Sequence, residues 1–498
     1  MRYNLLQRTG MIGICIIMCI TNFFIQTKPV YADVDYAQEA ENRKSLPIQS
    51  NQIENWPQGP QIGAGGAILM EANTGTILYA KNIDDRFYPA STTKILTSLV
   101  AIENSEMNET VSFSQEAVFS IGKGTSNMGM DVGQTISMEQ CLYGILVYSA
   151  NEVCNAVGEH IAGSIDGYVD MMNQKALELG CTNSHFVTTN GLHDENHYTT
   201  PRDLATIACA FFSNQTLTKM SNTNHYYIPP TATQPDDIDL WTHNSLTAGT
   251  YSYDGYIGGK TGFTSDSRQT LVSCAERNGI KLICVIMQEE SPNQFLDTIA
   301  LFDYGFNNFQ KVNIAENETN YTISDSDLFN TDSDIFFSND PIITIDPADN
   351  VIIPNTITFA DLTSTLSYET SGLGGPDSLL ATIQYQYQGQ NVGKASITLT
   401  PAVNTSQFES DAQIVSANAI DGPNVSGGGK VIFINILKVI GIILLFLVVI
   451  IISIFTYAFC KNYNFAKRRR TRIKRKRRRR SHTYGSGRNR HNGNRLDF

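Results

Sequence analysis

Tyr88-Pro89-Ala90-Ser91-Thr92-Thr93-Lys94 runs straight into the apolar helical pattern Ile95, Leu96, Leu99, Val100 and Ile102. With 3.6 residues per turn, positions i and i+3 share one helix face, so Ser91 and Lys94 stand together as a hydroxyl nucleophile and an amine base require. Pro89 predicts a helix that begins at or just after this point. Ser91 is then expected in the first turn, where backbone N–H groups lack partners and the dipole favours negative charge, so an oxyanion forming beside it would be stabilised. A Ser-x-x-Lys alone equally describes an ordinary amphipathic helix, and the surrounding chain has to decide.

Upstream, Ala67-Ile68-Leu69-Met70-Glu71-Ala72 and Thr76-Ile77-Leu78-Tyr79-Ala80 flank Asn73-Thr74-Gly75, a strand, turn, strand signal. Downstream, the periodicity is mainly helical from about 105 to 205, as in Met138 to Ile161 and Ile165 to Leu179. Strands return with Leu271-Val272-Ser273-Cys274-Ala275 and Leu282-Ile283-Cys284-Val285-Ile286-Met287, parted by Arg277-Asn278-Gly279. Strands early and late around a helical middle predict a mixed α/β (α+β) domain over 61–308 whose ends meet in one sheet. Short alternating segments such as Thr356-Ile357-Thr358-Phe359 and Ala395-Ser396-Ile397-Thr398-Leu399-Thr400 then predict a small all-β domain over 309–402.

The ends of the 498-residue chain speak to location. Residues 1–32 read as a secretory signal: Arg2 and Arg8, an apolar core from Met11 to Phe24, and the small-x-small site Val30-Tyr31-Ala32. Residues 33–60 are polar and irregular and read as a linker, and 403–430 as a Gly/Ser-containing tether. The apolar run 431–459 is long enough to span a bilayer, and the basic tail 460–498 is placed in the cytoplasm by the positive-inside rule. From Lys461 onward the net charge is +15, which leaves −27 for the rest of a chain whose formal total is −12. An acidic exported portion argues against nucleic acid as its partner, and the juxtamembrane basic run is read as retention and contact with anionic lipid in preference to a nucleic-acid arm. Of nine cysteines, Cys141, Cys154, Cys181, Cys209, Cys274 and Cys284 lie in the exported portion without metal-ligand spacing and read as buried free thiols.

Two further motifs suit an acyl-transfer serine. Ser149-Ala150-Asn151 follows the apolar run Leu142 to Val147, so a hydroxyl and an amide are presented where a helix ends. Lys260-Thr261-Gly262 opens a strand at which Gly262 lets backbone approach a ligand closely. Ser-x-x-Lys, Ser-x-Asn and Lys-Thr-Gly in this order resemble the penicillin-binding proteins and serine β-lactamases. Gly124-Thr125-Ser126, Met172-Asn173-Gln174-Lys175-Ala176, His197-Tyr198-Thr199-Thr200-Pro201-Arg202-Asp203 and Lys260-Thr261-Gly262-Phe263-Thr264 narrow the resemblance to the low-molecular-weight D-alanyl-D-alanine carboxypeptidases, from about Gly66 to Phe306.

The resemblance implies a penicillin-binding-protein-like transpeptidase fold, a D-Ala-D-Ala stem peptide of peptidoglycan as substrate, covalent inhibition by β-lactams, a signal peptide and a C-terminal membrane anchor. It implies no metal and no other cofactor. It implies Ser91 as nucleophile, Lys94 as its base with a pKa pulled down by burial beside Lys260, and Ser149 as relay to the leaving amine. Asn151 would hold the peptide carbonyl or orient Lys94, Thr261 would bind the substrate carboxylate, and backbone N–H groups of Ser91 and Phe263 would form the oxyanion hole beside Gly262. Where many relatives carry an arginine before Tyr304-Gly305-Phe306, this chain has Gln294, and Arg268 could substitute if it points inward. Arg202 and Asp203 read as an internal ion pair, and His185, His193 and His197 as structural. A β-lactamase reading lacks a Glu-x-x-Leu-Asn after Asn151, and a silent scaffold is disfavoured by the presence of Ser91, Lys94, Ser149, Asn151 and Lys260.

Overall fold

A computed structural model describes residues 34–319, 343–368 and 379–399. The expected signal peptide, tether, apolar span and basic tail lie outside the described residues. Among the described residues no helix is long and apolar enough to cross a membrane.

Helix α1 (Tyr36–Arg43) starts at Asp35, whose side chain accepts from Gln38 N at 3.0 Å. Strands β1 (Gly66–Glu71) and β2 (Ile77–Lys81) form the expected antiparallel hairpin. A 3₁₀ turn at Ala90–Thr93 feeds α2 (Lys94–Asn104). Then come β3 (Thr110–Ser112), α3 (Gln115–Phe119), β4 (Thr135–Ser137), α4 (Met138–Tyr143), α5 (Asn151–Ala162), α6 (Ile165–Glu178), α7 (Pro201–Ser213) and α8 (Gln215–Ser221). The small hairpin β5 (His225–Ile228) and β6 (Ile238–Trp241) precedes β7 (Tyr256–Thr264), β8 (Arg268–Arg277), β9 (Ile280–Glu289) and α9 (Asn293–Asn308).

The main sheet has the order β2-β1-β9-β8-β7 and every neighbouring pair is antiparallel. Its first and last contributions meet as the sequence pattern expects, with Gly66 opposite Met287 and Glu71 opposite Leu282. Because successive side chains in a strand point to opposite faces, β9 can carry the unbroken apolar run Leu282 to Met287 only if both faces are covered. They are. Ile68, Ile283, Val285 and Met287 join one core with α2, α5 and α7, whereas Leu69, Leu282, Cys284 and Ile286 join a second with Phe295, Leu301 and Phe302 of α9. Cys141, Cys154, Cys181, Cys209, Cys274 and Cys284 are free, and all but the half-buried Cys209 are buried.

The described part of the expected linker, 34–60, differs from a linker in its packing. Ala40, Ile48 and Trp56 are buried, and Trp56 Nε1 donates to Leu78 O at 2.9 Å. Buried Lys81 donates to Arg43 O and Ile62 O at 2.8 and 2.7 Å, so a side chain of the sheet holds this segment and the residues just after it by backbone carbonyls.

The following β domain opens at β10 (Phe309–Asn313), directly after α9, and continues with a short helix α10 (Ile314–Asn317). Strands β11 (Ile343–Ile345), β12 (Asn350–Pro354), β13 (Thr363–Tyr368), β14 (Leu379–Tyr387) and β15 (Gln390–Leu399) complete a sheet ordered β10-β12-β15-β14-β13, with β11 on β15.

Candidate active site

Ser91 sits in the 3₁₀ turn one residue after Ala90, which holds a left-handed φ of +50°. A β-carbon-bearing residue in that region is strained, and such strain persists only where neighbours over-determine it. Two glycines press on this turn. A side-chain carbon at Gly191 would lie 1.8 Å from Ala90 O, and one at Gly262 would lie 2.8 Å from Ser91 N. Only glycine lets the 190–191 loop and strand β7 close on the serine from both sides.

Lys94, the first residue of α2, is fully buried with its Nζ 2.9 Å from Ser91 Oγ. The same Nζ donates to Asn151 Oδ1 and to Asn190 O, each at 2.7 Å. A neutral amine has two N–H groups and one lone pair; with both N–H groups taken by carbonyls, the lone pair is left for the hydroxyl proton of Ser91. Burial lowers the Lys94 pKa to about 8, against smaller opposing effects from Cys154 and Glu152.

Ser149 ends a π-turn (Gly144–Tyr148) in the left-handed region at φ +66°, and Asn151 opens α5 two residues later. Lys260 of β7 donates to Ser149 Oγ at 3.0 Å and to Thr261 O at 2.8 Å. Burial, and then the charge of Lys94, hold its pKa well below the usual lysine range. Two buried amines that each resist a second charge favour a state in which one of them is neutral.

These groups open on a cleft of about 700 Å³ that Ser91, Ser149, Asn151, Thr261, Gly262 and the half-exposed Phe263 line. Gly124, Thr125 and Ser126 form part of its rim. Asn151 N donates to Ser126 O at 2.9 Å, and the Glu152 carboxylate accepts from Met128 N at 2.7 Å. Sequence reasoning passed over Glu152, although a buried acid directly after the Ser-x-Asn motif is a visible signal. It also passed over Asn190, His243 and Gln269. His243 and Gln269 line the cleft, and burial and the charge of Lys260 lower the imidazole pKa of His243.

Arg268 does not point into the cleft. Its Nε and Nη2 donate to the Glu290 carboxylate at 2.7 and 2.6 Å, and its guanidinium lies 3.7 Å from the Tyr36 ring centroid. Gln294 does line the cleft and donates through Nε2 to Gln269 Oε1 at 3.3 Å. The expected Arg202–Asp203 pair is not formed: Arg202 pairs with Asp84 at 2.6 Å, while Asp203 caps the 183–184 turn through Asn183 N and the Ser184 hydroxyl. Successive residues on a helix diverge by about 100°, which separates these two. His197 is buried, with Nδ1 accepting from Val187 N and Nε2 against Thr93 Oγ1, and burial pushes its pKa down to about 3. That is a structural role beneath the Ser91 turn.

The chain is similar to known proteins. Residues 53–291 match the model of the peptidase S11 family, described as D-alanyl-D-alanine carboxypeptidase. A D-alanyl-D-alanine carboxypeptidase of Streptomyces sp. K15 is 31% identical over 261 residues, a match covering 50% of this chain and 88% of that one. This chain belongs to the S11 family. The D-alanyl-D-alanine carboxypeptidase DacF of Bacillus subtilis is 30% identical over 253 residues, again 50% of this chain, and the match spans 63% of DacF. For the fold, penicillin-binding protein 5 of Haemophilus influenzae superposes with a TM-score of 0.54 at 24% identity, over 69% of this chain and 98% of that one. That coverage takes in a mixed α/β catalytic domain and a following β domain.

Proposed function

We propose that this S11 member is a serine-type D-Ala-D-Ala carboxypeptidase that trims the terminal D-alanine from peptidoglycan stem peptides through a Ser91 acyl-enzyme. The observation that carries it is the placement of the Lys94 amine, 2.9 Å from Ser91 Oγ with both N–H groups already committed. Neutral Lys94 takes the Ser91 proton as Oγ attacks the carbonyl of the penultimate D-alanine. The oxyanion develops against the backbone N–H groups of Ser91, in the turn that feeds α2, and of Phe263 on β7. Ser149, held by Lys260, passes a proton to the departing D-alanine amine, and Asn151 orients Lys94. Thr261 and the Lys260 charge behind it receive the substrate's C-terminal carboxylate, whose arrival favours the protonated form of Lys260 and leaves Lys94 as the neutral member. Water then hydrolyses the ester by the reverse proton path.

β-Lactams are read as acylating the same serine. Labelling with a fluorescent penicillin, together with D-alanine release from a pentapeptide, tests the reading: both require Ser91, and a Ser91→Ala protein that still releases D-alanine would overturn it. The signal-like residues 1–32, the apolar run 431–459 and the basic residues after it support export of the catalytic domain and a single-pass anchor with a cytoplasmic tail. Accessibility of the catalytic domain, but not the tail, to protease added to intact cells is the expected result.

A further inference from the structure

The wall of the cleft carries no Lys, Arg, Asp or Glu side chain. Beyond Thr261 and Gly262 the sheet continues from Phe263 of β7 to its partner Gln269 on β8, and Gln269 touches Gln294 in the first turn of α9. Under the reading above, this is where the substrate's C-terminal end lies. Arg268, next to Gln269 in the chain, has its Nε and Nη2 donors closed on Glu290 and one face covered by Tyr36. Gln294 is buried, and its Oε1 has no partner. Its amide is therefore held only by the 3.3 Å bond from Nε2 to Gln269.

An amide turned end for end exchanges donor for acceptor, so a glutamine pair can face a ligand with either. A guanidinium offers donors only and pairs with a carboxylate in two parallel bonds, whereas a carboxamide can accept only one of them and sets its NH2 against the other donor. Lys260 stands behind Thr261 with its amine on Ser149 Oγ and Thr261 O, so its charge reaches the terminus only through Thr261; the amino end of α9 adds a preference for an anion of only about two- to fivefold.

We propose that the Gln269–Gln294 pair makes this site accept D-alanyl-D-residues whose C-terminus is uncharged, a carboxamide in particular, alongside the free carboxylate. This rests on the carboxypeptidase reading and extends it in substrate class. The bond chemistry is unchanged: Ser91 Oγ forms the ester as the D-Ala–D-Ala-amide peptide bond breaks, D-alaninamide leaves with the proton passed by Ser149, and water regenerates Ser91.

The experiment measures kcat/KM of the full chain for one acylated D-Ala-D-Ala peptide and for its C-terminal amide, with penicillin labelling of Ser91 as the check on folding. The expected preference for the carboxylate is below about thirtyfold, and a larger one overturns the proposal, because a site built to bond one terminus rejects the other by far more. Gln294→Arg is expected to raise that preference at least about tenfold by supplying the bidentate partner. Gln294→Glu, labelled by penicillin or with its thermal transition retained, is expected to lower it below one. An unchanged ratio in both variants overturns the proposal. Failure of the wild-type protein to release D-alanine from the carboxylate peptide would instead overturn the carboxypeptidase reading itself.

Discussion

Two lysines, Lys94 and Lys81, are both fully buried, and burial lowers both amines to about 8. Lys94 meets a hydroxyl at the floor of a cleft. Lys81 ends on the backbone carbonyls of Arg43 and Ile62, with the buried carboxyl of Glu289 and the half-buried one of Asp297 nearby as the charges that oppose its loss of proton. The same pKa therefore serves two purposes. A depressed lysine becomes a base only where its lone pair faces an acid that a substrate can reach; otherwise it is a cross-brace.

Substitutions can break that comparison. Ser91→Ala is expected to abolish the penicillin adduct and D-alanine release, read by gel fluorescence and amino-acid assay. Lys94→Met should slow acylation by about 10²–10⁴-fold, the usual contribution of a general base. Lys81→Met should leave acylation of the folded protein within about twofold but lower unfolding stability by about 1–3 kcal/mol, since two buried carbonyls lose their donor. Equal losses of acylation in the two variants, after correction for the unfolded fraction, would erase the distinction.

A pH series sharpens it. Glu289 is raised to about 8 by burial and by its hydrogen bond to Asp297, so between its unfolded value near 4.5 and 8 the native state binds more protons than the unfolded chain. Stability from this group is fully present at the acid end of that window and is lost as pH rises through 8. Lysines 81 and 94 act oppositely: from about 8 to their unfolded value near 10.5 the unfolded chain binds more protons, so stability recovers with rising pH. Denaturation midpoints against pH should show the fall flattened in Glu289→Gln and the recovery reduced in Lys81→Met. The smallest effect belongs to Arg268→Ala, which should leave KM for a D-Ala-D-Ala peptide within about threefold while costing about 1–3 kcal/mol of stability from the lost charged hydrogen bonds to Glu290.

Much of the site could be read because its chemistry is local. Ser91 and Lys94 are one helical turn apart, and Ser149 with Asn151, and Lys260 with Thr261 and Gly262, are short strings whose order survives folding. The sheet was legible for a similar reason, since an unbroken apolar run such as Leu282 to Met287 of β9 declares that both faces of the strand are covered. The N-terminal segment was not: Arg43 and Ile62 contribute backbone carbonyls to Lys81, and a carbonyl carries no residue signature. Asn190 was missed on the same ground, because it holds Lys94 through its main chain. Arg268 was a reasonable candidate from its place in the sequence, but strand register sets it beside Glu290, a partner twenty-two positions away.

The most direct test is the rate of Ser91 acylation by a fluorescent penicillin from pH 5 to 10. Protonated Lys94 cannot accept the Ser91 proton, so the rate should climb about tenfold per pH unit and level off near 8 in both the wild-type and Lys81→Met proteins. A rate that is flat below pH 8, or that keeps climbing towards the pKa of an exposed lysine near 10.4, would contradict the assignment of Lys94 as the base.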